Sequence, residues 1–163
     1  MEFMYLLIFA IFIFILLKLW QGVRKPKEHF EEKGEKYYEV RDSLMNRSEA
    51  MFFRILLKHV PDGNHVFPKM RIADILKTIA QGREYYYRRN QILPKHVDFV
   101  VCNGSFKPIV AIELNGKSHN SPKRIERDEH VRDIFKNAGL ELEFVEVGTN
   151  FEAQIKSIME RLS

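Results

Sequence analysis

Hydrophobic and polar positions along the chain change character twice. Residues 4–17 (MYLLIFAIFIFILL) are apolar or aromatic without a break, and Leu19 and Trp20 carry the run past Lys18. Residues 24–46 are dominated by charge, with six bases facing six acids, Pro26 at the start and Gly34 inside, which predicts a net-neutral linker with some helix. From residue 47 onward apolar positions recur at regular intervals, the mark of a folded domain.

The first run predicts a transmembrane helix. A bilayer core needs about 20 apolar residues and tolerates about 17, and this stretch meets that length once Lys18 snorkels and Trp20 sits at the interface. A cleaved signal peptide is the alternative. It wants a basic start and a small-residue cleavage site, whereas the one early charge is Glu2 and no Ala-x-Ala pattern follows. Lys18, Arg24, Lys25 and Lys27 flank the run on its C-terminal side and no base precedes it, so the remainder is expected in the cytoplasm. The lone cysteine, Cys102, suits a reducing compartment. The expected organisation is an anchor over 1–23, a stalk over 24–46 and an α/β domain over 47–163.

Within that domain the spacing predicts a series of elements. Asn46, Arg47, Ser48 and Glu49 have capping-box spacing, and Met51, Phe52, Ile55, Leu56 and His59 repeat at helical intervals, giving a helix over 47–60. Pro61-Asp62-Gly63-Asn64 reads as a turn. Residues 65–70 (HVFPKM) read as extended, while 72–79 fit either a strand or a helix. VDFVVC at 97–102 and PIVAIEL at 108–114 read as strands joined by a hairpin-type turn at Asn103-Gly104. Residues 123–138 carry helical spacing up to Gly139, 140–147 alternate as a strand, and 151–162 form an amphipathic helix. The fold class is α/β, a small mixed sheet flanked by helices, plus the N-terminal span.

Composition narrows the classes. At 163 residues there is room for one modest domain. Thirteen Phe and six Tyr supply enough apolar surface to exclude wholesale disorder, and a single cysteine excludes disulfide scaffolds and zinc fingers. Charge is uneven: residues 47–136 hold 17 bases and 10 acids, whereas residues 137–163 hold 2 and 5. A basic middle suits a polyanionic partner.

Candidate chemistry centres on Asp98 and Glu113, one on each strand of the expected hairpin. Carboxylates among Val97, Phe99, Val100 and Val101 are costly to bury, and two side by side resist joint ionisation. A divalent metal with a preference for hard oxygen, Mg²⁺ or Mn²⁺, would relieve both costs. The alternative is that each acid lies at a strand end, capped by Arg or Lys.

Three segments together, KHVDFVVC, AIELNGKSH and KRIERDEHVRDIFKNAGL, resemble the PD-(D/E)XK phosphodiesterase superfamily. They are most similar to a bacterial family of unknown function allied to very-short-patch-repair-type endonuclease domains, often placed behind one membrane helix. The resemblance spans residues 46–148 and implies a restriction-endonuclease-like fold. It further implies a metal-dependent endonuclease using Mg²⁺ or Mn²⁺ on DNA, a single-pass protein of the bacterial inner membrane held through residues 4–20. Asp98 and Glu113 match the metal-binding acids, and Glu49 matches the helix acid that completes the metal shell. Asn115 stands where relatives carry Asp, His119 matches a loop histidine that positions or protonates a phosphate oxygen, and Arg127 and Asp128 match a bracing pair. The signature lysine would lie two residues past Glu113, where Asn115 stands. Lys117 either replaces it or is a solvated loop lysine. Relatives without the lysine rely on metal-bound water and histidine.

Other positions carry weaker readings. Glu49 is also the third helical residue of the capping box, a purely structural role. Tyr85-Tyr86-Tyr87-Arg88-Arg89 either stacks on and grips nucleic acid or forms a strand edge. Lys95, Arg88, Arg89, Arg124 and Arg127 are the expected backbone-binding cations. His65, His96 and His130 lack partners at metal spacing. The rival classes are a catalytically inactive nucleic-acid-binding module on the same fold and a membrane-linked adaptor.

Overall fold

The computed structural model describes residues 2–23, 36–116 and 122–162, with the side chains of 122–124 and part of 2–23 outside that description. The chain divides into two units, Met1–Arg41 and Asp42–Ser163. The first holds helix α1, Glu2–Val23. Here the expected membrane anchor is corrected: among the described residues, no helix is long and apolar enough to cross a membrane. The transmembrane helix and the single-pass inner-membrane location fall with it. Of the expected stalk, 24–35 lie outside the described residues and 36–46 are exposed and irregular, apart from the partly buried Met45.

The second unit is a four-stranded mixed sheet between two layers of helices. Its elements are α2 (Arg47–His59), β1 (His65–Arg71), α3 (Ile72–Ile75), α4 (Gly82–Ile92), β2 (His96–Cys102), β3 (Pro108–Asn115), α5 (Pro122–Ala138), β4 (Glu141–Glu146) and α6 (Phe151–Leu162). The sheet order is β1-β2-β3-β4, antiparallel across the first two pairs and parallel between β3 and β4, with α5 as the crossover. Residues of 72–79, which fit either class of element, begin as the short α3, and the Tyr-Arg run lies on α4 rather than on a strand edge.

Alternation along the strands sorts the core into two faces. Phe99, Val101, Val110, Ile112 and Val145 pack against Phe52 and Leu56 of α2 and Phe151, Ile155, Ile158 and Met159 of α6. The other side packs Val100, Cys102, Ala111 and Leu142 against Phe135 of α5 and Ile72 and Ile92. Strands buried on both faces need continuous apolar runs, which is why VDFVVC and PIVAIEL carry so few polar residues. A polar side chain inside such a run therefore calls for a partner.

Local chemistry fixes the ends. Asn46 Oδ1 accepts from the Glu49 N–H at 3.0 Å and Glu49 Oε2 accepts from the Asn46 N–H at 3.0 Å, a complete capping box. Asn46→Ala is expected to lower stability by about 1 kcal/mol, read as a lower urea midpoint with unchanged slope. At α5 the chain stops at Gly139 (φ 72), where Leu140 N–H reaches Phe135 O and Gly139 N–H reaches Lys136 O. That is the bonding of a Schellman cap, and it needs the left-handed conformation glycine adopts without strain. The β2–β3 turn is longer than the two residues expected. Asn103 Oδ1 gathers the N–H groups of Ser105 and Lys107, at 3.0 Å each, and Phe106 takes a left-handed φ of 61°.

Candidate functional site

Strand register brings the candidate acids together. Phe99 lies opposite Ile112 and Val100 opposite Ala111, so one further step sets Asp98 opposite Glu113. On the other flank Pro68 faces Phe99 and Met70 faces Val97, which sets Lys69 opposite Asp98. Lys69, Asp98 and Glu113 thus form a row across three strands. The first turn of α2 adds Glu49.

Side chains replace the ladder at this row. Asp98 Oδ2 accepts the Leu114 N–H at 2.9 Å, and Glu113 Oε2 accepts the Asp98 N–H at 3.2 Å. Each carboxylate therefore has one oxygen tied to backbone and one left for other partners. Lys69 Nζ takes two of those partners, donating to Asp98 Oδ1 at 2.6 Å and pairing with Glu49 Oε1 at 2.9 Å. The Glu49 and Asp98 side chains are only 12% and 13% exposed, so these pairs are shielded from water far more than a surface ion pair.

The cations are unequally shared. Burial alone would lower the Lys69 pKa, but hydrogen bonds to Asp98 and Glu49 outweigh it and raise the pKa above its usual value. Among the described residues, no lysine ammonium is paired with Glu113. Burial first, and the charge of Asp98 second, push its pKa up to about 7, against partial relief from the Asp98 N–H, Lys69 and Arg127. A carboxyl that titrates near neutrality beside a second acid is a functional-site signature as well as a local cost.

A cleft of about 210 Å³ opens beside Glu113, lined by Lys95, His96, Arg127, Asp128 and Phe144 among others. Arg127 donates from Nε and an Nη to Asp128 Oδ1 at 3.2 and 3.0 Å. Lys95 Nζ reaches Gln91 O at 3.0 Å. Arg132 lies over the Phe144 ring, 4.7 Å from its centroid.

The other expected residues distribute as follows. Glu49 makes both its capping box and the Lys69 pair, so a free third metal ligand is not what it presents. Asn115 ends β3 opposite Glu146, and its carbonyl accepts the Val147 N–H at 2.7 Å. Lys117 and His119 lie outside the described residues, as does the side chain of Arg124. Arg88 is bonded to Glu84 at 2.6 Å and borders a different groove, between the α3–α4 segment and α5. Arg89 is exposed on α4. Asp98 is met by a lysine, as the alternative reading had it, but from inside β2 rather than from a strand end. Lys69 itself escaped sequence reasoning; its one trace was a lysine inside a run read as extended.

Among the described residues, no three or more His, Cys, Asp or Glu side chains are grouped to hold a metal. Asp98 and Glu113 offer two hard-oxygen donors. That set fits Mg²⁺, which is commonly bound by one or two carboxylates with water and substrate phosphate filling the rest.

One relative, an uncharacterized protein of Haemophilus influenzae, is 27% identical over 126 residues, covering 75% of this chain and 63% of that protein. The chain thus spans less than two thirds of that relative's length. No solved structure matches. Residues 41–162 match the family described as protein of unknown function DUF2726, and since the match takes in the sheet, both helical layers and the acid row, the chain belongs to that family.

Proposed function

We infer that this chain is a metal-dependent phosphodiesterase, an endonuclease of the PD-(D/E)XK kind acting on DNA. The observation that carries the reading is the register-paired Asp98 and Glu113, two acids fixed by backbone N–H groups on adjoining strands, with the Glu113 pKa pushed up to about 7 by burial and by the charge of Asp98. The α-β-α-α-β-β-α-β order from α2 to β4, with its mixed sheet, supports the same reading.

The chain's own part is positioning. Leu114 N–H and Asp98 N–H lock one oxygen of each carboxylate, so the opposite oxygens are the ones that would hold an ion. Mg²⁺ or Mn²⁺, when bound, neutralises phosphate charge and lowers the pKa of water. Lys95 and Arg127, on the wall of the cleft beside Glu113, are placed to hold backbone phosphates, with Asp128 fixing the Arg127 fork.

The test is nicking of supercoiled plasmid by the full chain with Mg²⁺ or Mn²⁺. Cleavage that needs the ion and vanishes in Asp98→Ala and Glu113→Ala is expected. Activity that survives both substitutions, or is never seen with the wild-type protein, ends the enzyme reading. The second reading, an inactive nucleic-acid binder on this fold, draws on Lys69, which already supplies a cation to Glu49 and Asp98. It predicts DNA affinity that falls steeply with salt and no cleavage.

A further inference from the structure

Glu49 and Asp98 each have one oxygen committed to backbone: Glu49 Oε2 to the Asn46 N–H and Asp98 Oδ2 to the Leu114 N–H. The opposite oxygens, Glu49 Oε1 and Asp98 Oδ1, are those that meet Lys69 Nζ, at 2.9 and 2.6 Å. An incoming divalent ion drawn to Asp98 has to take the oxygen the ammonium holds. Two cations cannot share it without repelling one another.

The backbone of Lys69 points to a placed group rather than a passing contact. Its φ of 55° is left-handed, a region a lysine seldom adopts and one that marks functional sites when the surroundings enforce it. The β1–β2 register runs unshifted from Pro68↔Phe99 to Met70↔Val97, so the turn-like residue is confined to one position of an otherwise regular strand.

We propose that Lys69 is a tethered cation that holds Glu49 and Asp98 while the divalent ion is absent and yields Asp98 to the ion, so that ammonium and metal compete for one carboxylate face. This rests on the reading of Asp98 and Glu113 as the metal-holding pair. The ion then binds against a built-in competitor, and its arrival leaves the ammonium with Glu49 as its one partner of the two.

The competition can be measured without catalysis, by Mn²⁺ electron paramagnetic resonance titration of the full chain. Lys69→Met is expected to bind Mn²⁺ at least about tenfold more tightly than wild type, the range of a typical coupling between two ligands. Lys69→Arg, which keeps the charge, should stay near the wild-type affinity. Lys69→Met binding no more tightly than wild type overturns the proposal and leaves the metal site standing. Absence of Mn²⁺ binding in every variant removes the site and the proposal together. A measurement on the unsubstituted chain covers the case in which a variant fails to fold. Saturating Mn²⁺ should raise acetylation of Lys69 by acetic anhydride several-fold over chelator-treated protein; unchanged or reduced labelling overturns the competition.

Discussion

Asp98→Asn should depress Mn²⁺-dependent plasmid nicking by about 10²–10³-fold or more, the worth of one preorganised charge-stabilising group. The substitution keeps shape and an acceptor for the Leu114 N–H at Oδ2. What it removes is the negative charge that faces Lys69 Nζ at 2.6 Å and, in the proposed reaction, the ion. The folding cost is expected to be about 1–3 kcal/mol, since Lys69 keeps Glu49 as a partner and is partly open to water. Loss of activity without loss of the folded state, read by circular dichroism beside the nicking assay, separates a chemical role from a structural one. Retention of activity within a few-fold of wild type would leave Asp98 a structural acid.

Glu113→Gln is expected to stabilise the metal-free protein at alkaline pH. In the folded chain the carboxyl titrates near 7, against an ordinary value of 4.5, because burial and Asp98 disfavour its charge. The native state therefore binds more protons than the unfolded chain between those values, and stability falls as pH rises through that window. Glutamine mimics the protonated acid and can still accept the Asp98 N–H. The two proteins should match in urea unfolding at pH 4.5 and below, and differ by roughly 3 kcal/mol in favour of the variant at pH 8, from a shift of this size. Equal stabilities at pH 8 in the presence of chelator would mean that Glu113 ionises without penalty.

Much of the sheet is legible in the sequence, because strands buried on both sides leave unbroken apolar runs. VDFVVC and PIVAIEL could be paired across their short connection, and that pairing alone puts Asp98 near Glu113. The helices α2, α5 and α6 are legible through capping-box spacing, the Gly139 stop and the 151-155-158-159 apolar stripe. Lys69 is not. Its place opposite Asp98 depends on the register of two strands separated by the whole α3–α4 excursion, which closes through Ile72 N–H to Lys95 O. It depends equally on a left-handed lysine that no propensity predicts. Helix α4 is hidden for another reason: it buries Ile92 alone and shows no apolar face for periodicity to detect. The Tyr85-Tyr86-Tyr87 run pulls the reading toward a strand because aromatic residues favour pleated surfaces. At the N-terminus the apolar run, Lys18, Trp20 and the flanking bases together read as a span, whereas among the described residues no helix is long and apolar enough to cross a membrane.

Isothermal calorimetry of Mn²⁺ into wild type, Asp98→Asn and Glu113→Gln at pH 8 bears most directly on the two strand acids as one ion's ligands. One ion per wild-type chain, with binding weakened at least about tenfold in each variant, is the predicted result. Equal binding in all three proteins, or none in the wild type, would contradict it.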